Sequence, residues 1–199
     1  MIKIGITGGI GSGKSVVSRL LSLFGVPVYI ADEESKRLTD TSPVIRRGLI
    51  QLFGNEIYRS EGSLNRQLLA SHIFGCKENL LRVNQLIHPE VNKDFLGWAG
   101  RQAGSACGIE SAILFESGFD RIVDIRLMVY APLSVRIQRA AERDGVCAEA
   151  IERRIRSQMP DEEKKDKSDY VIENDGCHAL IPQVEKFLAE YGLFIPKLY

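Results

Sequence analysis

Residues 8–15 read Gly-Gly-Ile-Gly-Ser-Gly-Lys-Ser and fit the pattern G-x-x-x-x-G-K-[ST], with Gly8, Gly13, Lys14 and Ser15 at the fixed places. The chemistry of such a string is specific. Backbone N–H groups of the glycine-rich turn converge on phosphate oxygens, the lysine reaches the β- and γ-phosphates, and the Ser15 hydroxyl holds Mg2+. The flanks suit this task. Ile2, Ile4 and Ile6 alternate with Lys3 and Gly5, as in a short strand. Val16, Val17, Leu20, Leu21 and Phe24 then fall at helical spacing. The phosphates would therefore sit at a helix N-terminus, where the dipole favours anions. The string predicts a nucleoside triphosphate site and leaves open the fate of the γ-phosphate.

Other residues could act on that phosphate. Asp32 follows the apolar run 26–31. Ligands of an open parallel sheet bind beyond the C-terminal strand ends, which places Asp32 beside the loop. There it could take the proton of an attacking hydroxyl or hold a Mg2+ water. It would equally serve as the N-cap of the segment that follows, with Glu33 and Glu34 in the first turn. Glu116 closes the run 109–115 and could meet a metal's water shell or a substrate hydroxyl, or be a surface acid. Glu110 lies inside that run, where a carboxylate needs a partner unless it marks a solvent-facing start.

Arg136, Arg139 and Arg143 share one helix face. They read as a phosphate clamp or as a solvated basic face. In the next helix, Glu149–Arg153 and Glu152–Arg156 are i, i+4 pairs, while Arg154 has no such glutamate and is freer to meet a ligand. Asn174-Asp175-Gly176 could flank an adenine or form a plain turn. Arg66 and His88-Pro89 lie in a helical stretch, where structural or solvated roles suit them as well.

Elements must position these groups. Strand-like runs at 2–6, 26–30, 109–115, 125–130 and 169–173 alternate with helical stretches. That pattern predicts an α/β fold, a mostly parallel five-stranded sheet flanked by helices. The span between the second and third runs, about 75 residues, is too long for one crossover helix. Residues 33–104 are expected to form a helical insertion lobe. Residues 133–144 and 148–158 are helical and arginine-rich, and a charged stretch follows from Pro160 to Ser168. This hairpin, 133–167, has few large apolar residues and suits a mobile flap. The remaining ranges, 1–32, 105–132 and 168–199, would form the nucleotide-binding core of a single domain.

The whole chain sets bounds. Its 199 residues, 44% hydrophobic, suffice for one domain with a substantial core. The 26 basic and 26 acidic residues balance, so no field for nucleic acid or an anionic membrane is expected. Cys76, Cys107, Cys147 and Cys177 make no C-x-x-C pair, and His72, His88 and His178 add no metal-ligand spacing with them. Neither a zinc site nor a disulfide framework is implied. The start runs straight into the first strand, leaving no room for a signal peptide. No apolar run approaches the roughly 18 residues of a membrane span. The cytoplasm is the expected compartment. No feature of the sequence sets an oligomeric state.

Taken in order, these strings resemble the dephospho-coenzyme A kinase family almost end to end. Thr7 to Ser15 is similar to the family's phosphate loop, and Val28 to Asp32 to its Val-Ile-Asp-Ala-Asp segment. Leu64-Asn65-Arg66 stands where the family has Leu-Asp-Arg. Ile87-His88-Pro89 and Ile113-Leu114-Phe115-Glu116 match two further motifs. Arg139, Arg143-Asp144, Arg154-Ile155 with Gln158, and Ser168 to Asn174 complete the series. Ile30 stands in place of the family's first aspartate, Ala112 of a proline, Glu110 of an aspartate and Val16 of a threonine.

The resemblance implies a P-loop NTPase-type kinase that phosphorylates the ribose 3′-hydroxyl of dephospho-coenzyme A, with ATP as co-substrate and Mg2+ as cofactor. It implies an ATP site of Gly9, Gly11, Ser12, Gly13, Lys14, Ser15, Val16, Arg139, Asn174 and Gly176. Asp32 would be the base, with Lys14 and Arg139 as catalytic cations. Arg66, His88, Glu116 and Arg154 would meet the acceptor. The 33–104 lobe would hold the pantetheine arm and the 133–167 hairpin would be a lid that excludes water. A nucleoside monophosphate or gluconate-type kinase of the same fold is the nearest rival, disfavoured by the Leu-Asn-Arg and His-Pro strings. A GTP-binding switch lacks support, since no Asn-Lys-x-Asp string is present and the only D-x-x-G, Asp94 to Gly97, lies in a helical stretch.

Overall fold

In the computed structural model, which describes residues 1–193, the first apolar run forms β1 (Ile2–Thr7) and leads through the glycine-rich loop into α1 (Lys14–Leu23). The chain returns as β2 (Val28–Ile30) and continues through α2 (Ala31–Thr41), α3 (Pro43–Phe53), α4 (Arg66–Ile73) and α5 (Lys77–Ala99). It re-enters the sheet as β3 (Ala106–Glu110), then crosses to β4 (Ile125–Tyr130). Next come α6 (Leu133–Asp144), α7 (Ala148–Arg156), α8 (Asp161–Asp166), β5 (Tyr170–Glu173) and α9 (Leu180–Glu190).

The five strands pair in parallel in the order β2-β3-β1-β4-β5. Parallel neighbours need crossovers, so helices cover the sheet and its strands run nearly uninterrupted in apolar residues. β1 is central. Ile4 and Ile6 pack with Val17 and Leu21 of α1, Leu127 and Val129 of β4, and Val184, Phe187 and Leu188 of α9.

The third strand departs from the expected 109–115. It spans Ala106–Glu110, and the chain leaves the sheet at Ser111, whose N–H makes a last bond to the Ile6 carbonyl at 2.9 Å. Ala106, Cys107 and Gly108 carry little side-chain signal, yet small residues fit a strand covered by helices. A Cβ on Gly108 would already press on Ile6 Cδ1 at 3.1 Å. Residues 112–118 turn instead, with Phe119 N–H bonded to the Leu114 carbonyl at 2.9 Å. The second strand is also shorter than 26–30. Val26 N–H closes the turn after α1 by bonding the Leu21 carbonyl at 2.9 Å.

The chain divides into two compact units, one of Met1–Ile30 with the chain from Arg101 onward, the other Ala31–Gly100. The last six positions of the expected core range 168–199 lie outside the described residues. Within the second unit, Val83, Ile87, Val91, Phe95 and Ala99 recur every fourth residue and form the buried stripe of α5. Helices α2, α3 and α4 pack against α5. Ser42 caps α3 by accepting the Ile45 N–H at 3.4 Å, with Pro43 at the first helical position. Asn65 caps α4 by accepting the Leu68 N–H at 3.2 Å. The Tyr58 hydroxyl donates to the Thr39 carbonyl at 2.8 Å and so ties the loop before α4 to α2.

Candidate active site

The loop between β1 and α1 is bent over its own lysine. Lys14 Nζ donates to the carbonyls of Gly8 at 2.8 Å and Gly9 at 3.3 Å. No side chain caps α1, whose N-terminal end, where the helix dipole favours an anion, opens directly from the glycine-rich loop. Ser15 and Val16 are exposed in that first turn. The hydroxyls of Thr7 and Ser12 are buried beside the loop without a hydrogen-bond partner. Gly9 and Gly11 are among the loop glycines demanded by close approach. A Cβ on Gly9 would lie 1.8 Å from Arg136 Nη1, and one on Gly11, whose φ is +80°, would lie 2.2 Å from the Arg136 carbonyl oxygen.

Asn174 joins the loop to α6. Its Nδ2 donates to the Ser12 carbonyl at 2.8 Å, and its own carbonyl accepts from Arg139 Nη1 at 2.8 Å. Arg139, Asn174 and the glycine-rich loop are thereby brought together. The string 174–176 is also a turn. Asp175 Oδ1 accepts the N–H groups of Cys177 and His178, which with the His178 ring holds its carboxyl down at about 2.

The shared arginine face does not act as one surface. Arg136 is only 1% exposed, and its Nη1 donates to both carboxylate oxygens of Asp161, to Oδ1 at 2.6 Å. Arg143 pairs with Asp144 at 2.8 Å. Arg154, expected to be the freer arginine of its helix, also pairs with Asp144 at 2.8 Å. A partner ten residues earlier is invisible to an i, i+4 count, but the turn between α6 and α7 brings it back. Arg143 and then Arg154 hold the Asp144 carboxyl below the usual carboxylate range.

Glu116 does not end a strand, because the strand stops at residue 110. It lies in the turn 112–118, and its Oε1 accepts the Met159 N–H at 2.8 Å and faces Lys164 Nζ at 3.4 Å. Lys164 is fully buried at 0% exposure and donates to the Ala112 carbonyl at 2.6 Å. Burial pushes its pKa down, and Glu116 opposes that shift. Glu110 is the last residue of β3, not a solvent-facing start. It lies in register with Ile6 of β1 and Ile30 of β2, and its Oε2 is buried without a hydrogen-bond partner. Sequence reasoning missed Asp161, Lys164 and the burial of Arg136, since no local pattern marks any of them.

In the second unit, Asp32 is exposed inside the first turn of α2. The helix already begins at Ala31, so Asp32 is not its N-cap. Asp32, Glu33 and Glu34 together favour the positive end of the helix dipole. Arg66 donates to Asp40 at 2.7 Å, to the Lys36 carbonyl at 3.2 Å and to the Thr39 hydroxyl at 3.4 Å, while staying half exposed. His88 is half-buried, and burial pushes its pKa below the ordinary value.

Residues 2–179 match the family model for dephospho-CoA kinase. The dephospho-CoA kinase of Bacteroides fragilis strain YCH46 is 53% identical over 189 residues, covering 94% of this chain and 92% of that one. That of Porphyromonas gingivalis is 47% identical, covering 94% and 93%. A crystal structure from Thermus thermophilus is similar with a TM-score of 0.80 at 34% identity, covering 96% of this chain and 95% of the other. The dephospho-CoA kinase from Campylobacter jejuni gives 0.69 at 24% identity, covering 95% and 96%. A shikimate kinase from Acinetobacter baumannii, in complex with shikimate, gives 0.55 at 18% identity over 96% and 93%, a likeness of fold alone. The parallel α/β kinase fold expected from the sequence is borne out.

Proposed function

This chain belongs to the dephospho-CoA kinase family, whose reaction moves the ATP γ-phosphoryl group to the ribose 3′-hydroxyl of dephospho-CoA and completes CoA biosynthesis; from that premise we propose which residues carry the transfer. Lys14 and the loop amides hold the β- and γ-phosphates. The observation that carries this reading is the Lys14 ammonium arched over the Gly8 and Gly9 carbonyls at an uncapped helix N-terminus. Arg139 balances charge on the transferring group, set in place by the Asn174 carbonyl. Asn174 and Gly176 flank the adenine. Asp32 accepts the proton of the acceptor hydroxyl, supported by its place two residues past the C-terminal end of β2.

Mg2+ takes hard oxygen donors, and the residues present fit it. The Ser15 hydroxyl is exposed in the first turn of α1, and Glu110 Oε2 is a buried carboxylate oxygen without a partner at the end of β3. When bound, the ion neutralises charge on the β- and γ-phosphates. The unit Ala31–Gly100 takes the acceptor, with Arg66 and His88 among its contacts. Helices α6 to α8 act as the lid that keeps water from the γ-phosphate. Glu116, held by Lys164, and Arg154, paired with Asp144, are further acceptor contacts in this reading. The cytoplasmic setting, with no nucleic-acid or membrane partner, belongs to the same proposal. No helix among the described residues is long and apolar enough to cross a membrane.

The test is a steady-state comparison of dephospho-CoA, AMP and adenosine as acceptors at saturating Mg-ATP. The truncated acceptors keep the reacting hydroxyl but lose the remote arm whose binding energy positions it. They should show much lower kcat/KM, and equal efficiency would refute an acceptor unit that reads the arm. Asp32→Asn should lower turnover by about 10² to 10⁴ with ATP binding little changed.

A further inference from the structure

Arg136 lies across the phosphate loop. Its main chain abuts Gly11, where an added Cβ would meet the Arg136 carbonyl oxygen at 2.2 Å and its Cα at 2.9 Å. Its side chain abuts Gly9, where an added Cβ would meet Nη1 at 1.8 Å and Cζ at 2.5 Å. Asp161 Oδ1 would be 2.9 Å from the same point, so the ion pair as a whole occupies the space a Gly9 side chain would need. The Gly9 carbonyl in turn accepts from Lys14 Nζ at 3.3 Å. One face of Gly9 thus carries the Arg136–Asp161 pair, and its carbonyl holds the catalytic ammonium.

Stability is a weak ground for this arrangement, in which Arg136 is buried and Asp161 keeps 20% of its side chain exposed. A buried ion pair is often no better for folding than apolar residues of like volume, because desolvation offsets the attraction. The Arg136 guanidinium is 1% exposed and its Nε is buried without a hydrogen-bond partner, a further cost. The pair also bridges segments that are distant in the chain. Arg136 belongs to α6 and Asp161 starts α8, which Lys164 anchors to the Ala112 carbonyl at 2.6 Å.

We propose that Arg136 is a positioning residue for phosphoryl transfer: with Asp161 it braces Gly9 so that Lys14 is held for the γ-phosphate, and it couples loading of the loop to α8. Its guanidinium is planar, a shape that fills the flat space over a glycine and meets a carboxylate side-on. The proposal rests on the role assigned to Lys14 above.

The test uses the full chain with Mg-ATP and dephospho-CoA. The double variant Arg136→Met/Asp161→Leu replaces the pair by apolar side chains and should keep the thermal midpoint near that of the parent. Its kcat should nevertheless fall by about fivefold or more, with the KM for dephospho-CoA nearly unchanged, since small misplacements of catalytic groups cost rate. Arg136→Lys keeps a cation opposite Asp161, guards against loss of folding, and should also lose rate because it lacks the planar fork. A folded variant of either kind with a smaller fall in kcat, or with a loss only in KM for ATP, overturns the proposal. The unmodified protein supplies a further arm. Adding Mg-ATP should slow amide hydrogen exchange at residues 159–166 as well as in the loop, and protection confined to the loop and α6 also overturns it. Lys14→Ala is run alongside. If that variant turns over normally, the loop assignment itself fails; if it is inactive while the Arg136 variants are normal, only the brace fails.

Discussion

Glu116→Gln should expose how much of the 112–164 contact is electrostatic. In the parent, Lys164 Nζ is fully buried, 2.6 Å from the Ala112 carbonyl and 3.4 Å from Glu116 Oε1. At that separation the attraction is about 5 kcal/mol with an effective dielectric constant near 20. Glu116 keeps 26% of its side chain exposed, so solvent screens part of this. Glutamine also preserves an oxygen for the Met159 N–H and a dipole for Lys164. What remains is the loss of charge opposite a buried cation, about 2 kcal/mol, or a fall in thermal midpoint of roughly 4–8 °C for a chain of this length. The pH dependence has a definite sign. Burial already lowers the Lys164 pKa and Glu116 opposes the shift, so its loss lowers the folded-state value further. The unfolded chain then binds more protons between that value and the ordinary lysine value, and stability rises with pH across that window. The deficit of Glu116→Gln relative to the parent should therefore shrink as the solution is made alkaline. The assay is urea unfolding of Glu116→Gln, Lys164→Met and the double variant at neutral and alkaline pH. Removing Lys164 first should make the Glu116 change nearly free. If Glu116→Gln costs as much without the lysine as with it, the reasoning is wrong.

Arg139→Ala should depress kcat by about 10²-fold or more while weakening ATP binding far less, because its charge is needed most in the transition state; equal losses in both would contradict that role. Phe95, fully buried in the α5 stripe, should cost about 3–5 kcal/mol when cut to alanine, measured by urea unfolding, and a loss under about 1 kcal/mol would refute its place in that core. Burial lowers the His88 pKa, so the unfolded chain binds the proton first as pH falls below the ordinary histidine value, and stability is lost across that window down to the folded value. His88→Gln should flatten the thermal midpoint between neutral and mildly acid pH, and an unchanged acid slope would assign the effect elsewhere.

The strand, glycine-rich loop and helix of the candidate phosphate site were legible in the chain because their determinants are local. A strand, a turn whose glycines let backbone N–H groups converge, a lysine and an amphipathic helix all fall within residues 2–24, and the structure folds them as β1, the loop and α1. The parallel sheet was legible for a similar reason: β1 and β4 carry bulky apolar residues with period and length enough to be read singly. β3 was misplaced because Ala106, Cys107 and Gly108 have too little apolar surface to signal a strand, and its limits follow from pairing with β1 and β2 on either side. The fate of charged side chains was decided only in three dimensions. Arg136, Arg139 and Arg143 are alike by spacing, yet one is buried against Gly9 with Asp161, one meets Asn174, and one meets Asp144 beside Arg154. Spacing along a helix says which side chains share a face. Whether a charge is desolvated, and which group meets it, depends for Arg136 and Arg139 on segments that the chain brings back from 25 and 35 residues away, the Asp161 carboxylate and the Asn174 carbonyl.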